Sequence, residues 1–89
     1  MKGIITVVGK DKVGIIAKIC SFLSKENINI LDISQTIVHG YFNMMMIVDL
    51  SEAKDDFIEI IDQISELATE IGVDIRLQNQ DIFDNMHRI

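Results

Sequence analysis

The feature that most constrains this chain is a hydrophobic pattern that switches twice from the two-residue period of a strand to the helical period and back. Residues 3–8, GIITVV, make a short β-branched run between a glycine and a polar loop, as expected of a buried strand. Residues 13–22 follow, with Val13, Ile16, Ala17, Cys20 and Leu23 at three- and four-residue spacing and with Ile15 and Ile19 widening the stripe, which predicts a helix. Asp11 is placed to cap that helix, and Asn27 to end it in a left-handed turn. Residues 29–39 alternate, with Leu31, Ile33 and Ile37 on one face and Asp32, Ser34 and Thr36 on the other. Gly40 turns the chain, and residues 41–50 alternate again with Phe42, Met44, Met46, Val48 and Leu50 inward, which predicts a hairpin.

The second helical stretch carries Phe57, Ile60, Ile61, Ile64, Leu67, Ala68 and Ile71, with Ser51 and Asp55 as candidate caps and Glu59, Asp62, Glu66 and Glu70 on its wet face. Gly72 stops it, and Val73, Ile75 and Leu77 then alternate with Asp74, Arg76 and Gln78. The order is βαββαβ. Right-handed crossovers make this an α+β, ferredoxin-like fold: a four-stranded antiparallel sheet, first and third strands central, with two helices on one face. The other face is expected to be open and mostly polar, with Asp32, Ser34, Thr36, Tyr41, Asn43, Met45, Ile47, Asp74, Arg76 and Gln78.

Residues 1–78 make one domain, and residues 79–89, NQDIFDNMHRI, read as a C-terminal amphipathic tail. Ile82, Phe83, Met86 and Ile89 recur there at helical spacing behind Asp81, so the tail is expected to dock. A chain of 89 residues buries only about 60% of its unfolded surface, yet 48% of its residues are apolar, so a second copy is expected to hide the surplus.

The net charge of −6 argues against nucleic acid and anionic membrane as partners. Its distribution is uneven, because residues 1–25 hold five lysines against Asp11 alone, which leaves a basic lip at Lys10 and Lys12. The single cysteine, Cys20, forms no internal disulfide and lies on the predicted core side of its helix. No signal-like or membrane-spanning stretch is visible, so the expected location is the cytoplasm.

The fold hosts many activities, so function has to come from sites. An acylphosphatase-type enzyme would want an arginine in the loop before the first helix, which here reads GKDKVG. A metal carrier would want a second thiol, and neither His39 nor His87 has the companions of a metal site. An RNA-binding module would want several stacking aromatics on the open face, where Tyr41 stands alone. No nucleophile, base and orienter arrangement is visible, so the chain reads as a binding protein, with no cofactor and no metal, rather than as an enzyme.

Three stretches resemble the ACT domain family, the regulatory module of amino-acid metabolism, over Lys2 to about Gln78. Residues 6–16, TVVGKDKVGII, are similar to the family's strand, D-R-P-G-type turn and helix; Asp11 and Gly14 match, while Lys12 and Val13 replace the arginine and proline. Residues 27–32, NINILD, resemble the start of the second strand, and the apolar third strand ends on the expected Asp49. Over its full length, including the ending MHRI, the chain is similar to free-standing single-ACT proteins of unassigned function, related to regulators of glycine cleavage.

The resemblance implies a homodimer without a catalytic domain and names no ligand; the leading expectation is a sensor of an amino acid or related small metabolite that signals to a protein partner. This expectation places the ligand on Lys10, Asp11, Lys12, Val13, Gly14 and Ile15, with Asn29, Ile30 and Leu31 facing them across the dimer seam. Gly14 and the free N–H groups of the helix start suit a carboxylate, and Asp11, turned outward, suits an ammonium group. Serine-sensing relatives carry a histidine where this chain has Gly9 and an asparagine where it has Asp11, so their ligand does not transfer. Helix capping by Asp11, tight packing at Gly14 on the sheet or a partner helix, and a plain strand-edge role for Asn29 stand as the alternatives for those three residues. The alternative for the whole chain is a protein–protein interaction module without a ligand.

Overall fold

The computed structural model describes residues 1–80; the tail with Asp81, Ile82, Phe83, Met86, His87 and Ile89 lies outside the described residues. The elements are β1 (Lys2–Lys10), α1 (Ile15–Lys25), β2 (Asn29–Val38), β3 (Tyr41–Asp49), α2 (Phe57–Ile71) and β4 (Asp74–Asn79). They form an antiparallel sheet in the order β2-β3-β1-β4, the ferredoxin-like arrangement with β1 and β3 central.

Period-two alternation in β1, β3 and β4 sends Ile5, Val7, Met44, Met46, Val48, Ile75 and Leu77 into one buried cluster. Ile15, Ile19 and Leu23 of α1 and Ile60, Ile64 and Ile71 of α2 join that cluster, so both helices cover the same face. Met46 and Ile60 are 0% and 1% exposed, and truncating either to alanine costs about 2–5 kcal/mol. The opposite face shows the residues expected of it, although Ile4 is buried there as well.

The first helix departs from its expected frame. It begins at Ile15, not Val13, because Gly14 takes a left-handed conformation (φ 92°) that no helical turn can include. Asp11 is therefore too far upstream to cap it, and no side chain does. Its buried line is Ile15, Ile19 and Leu23; Val13, Ile16 and Ala17 are exposed, and Cys20 is half-buried at the margin of the core. The helix ends as expected at Asn27 (φ 58°), where the Ile28 N–H donates to Leu23 O at 2.9 Å and the Asn27 N–H to Ser24 O at 3.1 Å.

Strand β2 also departs. Ile30 pairs with Val48 and Asp32 with Ile47, so Leu31 is the extra residue of a bulge. The bulge puts Ile30 on the helix side, with Ile33, Gln35 and Ile37 after it, and removes Leu31 from the expected row. His39 and Gly40, both with positive φ, close the β2–β3 hairpin as its two loop residues.

The cap of α2 is Asp56, whose Oδ1 accepts from the Glu59 N–H at 2.9 Å. The two expected caps are used elsewhere: the Ser51 hydroxyl donates to Asp49 Oδ1 at 2.6 Å, and Asp55 Oδ2 accepts from the Gln63 amide at 2.9 Å. Both lie before the first helical residue at positions whose carboxyl or hydroxyl finds a nearer donor or acceptor. Gly72 (φ 85°) ends α2 as expected.

Candidate functional site

The loop from β1 to α1 is tied down at two points. The Asp11 N–H donates to Gly40 O at 2.9 Å, which fixes the loop to the end of the β2–β3 hairpin. The Lys12 ammonium donates to Ile71 O at 3.3 Å, supplying a cation to the C-terminal end of a helix whose own last turn has none. Lys12 is thus engaged with the second helix, and Lys10 is exposed.

Between these ties the loop is open. Val13 is fully exposed, and a Cβ built on Gly14 would meet nothing within 4 Å. Packing within this chain is therefore not why glycine stands there, and the left-handed backbone supplies a reason. The first intrahelical hydrogen bond of α1 runs from the Lys18 N–H to Gly14 O, so the N–H groups of residues 15–17 precede the helical ladder and have no side-chain cap. Such a terminus favours an anion. Gly9 has a different reason: its Cβ would stand 2.7 Å from Val73 Cγ1, so Val73 fills the space that a histidine at this position would need.

Residues 29–31 lie at the other end of the sheet. Lys10 is paired with Tyr41 and Asn29 with Asp49, eight residues apart along β3, or roughly 26 Å at strand rise. One chain therefore does not bring the two halves of the candidate site together. Around Asn29 and Ile30 runs a groove of about 420 Å³, lined also by Cys20, Ser24, Asn27 and Glu52. Cys20, expected to be a core thiol, is thus part of a wall.

The ends differ in charge as well. Lys10 and Lys12 flank Asp11 at the loop end, whereas the groove end holds Glu26, Asp49, Glu52, Asp55 and Asp56 against Lys2, Lys25 and Lys54. The Ser51 hydroxyl and N–H hold the Asp49 carboxyl below its ordinary range, and the Gln63 amide does the same for Asp55. Burial pushes Glu26 up, and the neighbouring Asp56 charge pushes Glu59 up.

Between the two ends runs β2, an edge strand exposed along nearly its whole length. Ile33 and Ile37 point to the helix side yet are 45% and 57% exposed, because no helix lies over them, and Ile16 of α1 is exposed as well. Sequence reasoning missed this uncovered strip, the role of Lys12 and the position of Glu52. The Lys12–Ile71 contact spans 59 residues and the Asn27–Glu52 contact 25, and neither leaves a local pattern. Among the described residues, no group of three or more His, Cys, Asp or Glu side chains could hold a metal ion, and no helix is long and apolar enough to cross a membrane.

Comparison with known proteins gives the same frame. The family model described as the ACT domain matches residues 3–78. A UPF0237 protein from Bifidobacterium longum is 58% identical over 99% of this chain and 98% of its own length. Among solved structures, an ACT domain protein from Streptococcus pneumoniae superposes with a TM-score of 0.82 at 42% identity, covering 93% of each chain. The regulatory subunit of aspartate kinase from Thermus thermophilus, in a ligand-free form, superposes with a TM-score of 0.67 at 25% identity, over 88% of this chain and 50% of that one.

Proposed function

Because the chain belongs to the ACT domain family, whose members are in general small regulatory ligand-binding modules, we propose that it acts as a homodimer that senses an amino acid or related small metabolite. In this reading it is a binder without a catalytic step, it works in the cytoplasm, and it passes its signal to a protein partner. The ligand is held by residues 10–15 of one copy and residues 29–31 of the other.

The observation that carries the reading is that these two segments stand at opposite ends of one exposed edge strand. A long edge rich in apolar side chains, whose only charge is Asp32, is a template for pairing with another strand. Pairing β2 with a second β2 about a two-fold axis must be antiparallel. Residues 29–31 of one copy then lie beside Val38 and the hairpin turn of the other, and that turn is where Asp11 anchors the ligand loop. The same pairing sets the acidic groove end against the basic loop end and covers Ile16, Ile33 and Ile37. A dimer through the open sheet face would leave Ile16, Ile33 and Ile37, which lie on the helix side, uncovered.

Calorimetric titration of the dimer with the twenty amino acids tests the proposal. Heat from at least one is expected, with binding lost in Gly14→Val and in Asn29→Ala. Mixing those two variants should restore part of the binding, since a mixed dimer holds one site with both halves intact. Heat from no amino acid would instead favour an interaction module without a ligand.

A further inference from the structure

We propose that Glu52 recognises the ammonium group of the ligand and so makes the site specific for amino acids over the corresponding hydroxy acids. The inference rests on the sensing reading above and deepens it. Glu52 lines the groove of about 420 Å³ together with Asn29 and Ile30, the two site residues at the start of β2, and with Cys20. Its backbone is held in place from two sides. The Asn27 amide donates to Glu52 O at 3.0 Å, and beyond it the Ala53 N–H donates to Leu50 O at 3.2 Å and the Lys54 N–H to Glu26 O at 3.0 Å. The loop is thereby pinned to the end of α1 while the Glu52 side chain stays exposed, and among the described residues it has no ion-pair partner.

The charge layout then orients a zwitterion. The carboxylate belongs with the free N–H groups of α1 and Lys10 of one copy, as these are the positive groups of the site. The ammonium belongs on the opposite wall, where Glu52 of the other copy stands beside the Asn29 amide. Asp11 is the weaker candidate for that role, because Lys10 and Lys12 flank it on the same loop that attracts the carboxylate. Cys20 and Ile30 leave an apolar wall for the ligand's side chain.

Matched pairs that differ only in ammonium against hydroxyl test this: L-alanine and L-lactate, L-serine and L-glycerate, L-valine and L-2-hydroxyisovalerate, L-leucine and L-2-hydroxyisocaproate. Each is titrated into the full-length wild type and into Glu52→Gln. For at least one pair the wild type should bind the amino acid about tenfold or more tightly than its twin, since a charge-assisted hydrogen bond is lost with the ammonium. Glu52→Gln should bring that ratio close to one, leave the hydroxy acid's affinity unchanged and melt at the wild-type temperature. A variant that keeps the wild-type preference, or a wild type with no preference, overturns the Glu52 assignment and leaves sensing intact. Heat from no member of any pair, and from none of the other sixteen amino acids, overturns both.

Discussion

The two crossovers of this chain share one topology and treat their helix starts in opposite ways. At α2, the Asp56 carboxylate accepts from the Glu59 N–H, and Glu59 adds a second negative charge to the first turn. At α1, a left-handed glycine precedes the first turn, no side chain caps it, and no acid stands in it. The second helix thus brings its own anion, while the first leaves its N–H groups to an anion from outside. In the proposed reading, a ligand carboxylate takes at α1 the kind of position that Asp56 takes at α2.

The most damaging way to break this contrast leaves both helix starts intact. Replacing Ile33 and Ile37 together with lysine puts two charges on the uncovered strip of β2, and the expected result in sedimentation is a folded monomer that binds no amino acid. Gly14→Val comes next, because a β-branched residue at φ 92° is strained by about 1–3 kcal/mol; denaturant melts should show that loss together with loss of ligand binding. Asp56→Ala sharpens the comparison from the other side. It should cost about 1 kcal/mol, the value of a helix cap, and leave amino-acid affinity unchanged.

These three positions also show how far the sequence could be read. Every element was legible, because the alternation in β1, β3 and β4 and the stripe in α2 each serve one buried face. The frame of α1 and of β2 was not. In α1, Ile15, Ile16 and Ala17 are all apolar, so periodicity alone does not say which line is buried, and the left-handed Gly14 decides it. In β2, a one-residue bulge at Leu31 swaps Ile30 for Leu31 on the inner face while leaving an alternating pattern in the sequence. The candidate loop was legible from its glycine and lysines. Its division from residues 29–31 by roughly 26 Å was not, since strand pairing decides which ends meet.

Smaller effects test the link between the halves. Lys12→Met removes the cation at the end of α2 and should destabilise the fold by less than about 1 kcal/mol, an effect that added salt diminishes.

Acid should separate the crossovers as well. The folded state depresses Asp49 and Asp55 below 3.8, so their contribution is present above that pH and is lost as pH falls through their folded values. It raises Glu26 and Glu59 above 4.5, so theirs is present below 4.5 and is lost as pH rises through the raised values. All four stand at the groove end, and together they give a shallow stability maximum between 3.8 and 4.5. Thermal melts across that range should show it, and Glu26→Gln with Glu59→Gln should flatten its neutral side. The effect is small because these groups face solvent.

The central claim, that the site is assembled between two copies along β2, is tested most directly by a distance between chains. In a Cys20→Ser background, one population carries a spin label at Lys10→Cys and another at Asn29→Cys, and the two are mixed before pulsed dipolar spectroscopy. The account predicts an interchain distance well under the roughly 26 Å that separates these positions within one chain. No dipolar coupling, or a distance at or beyond that length, would contradict it.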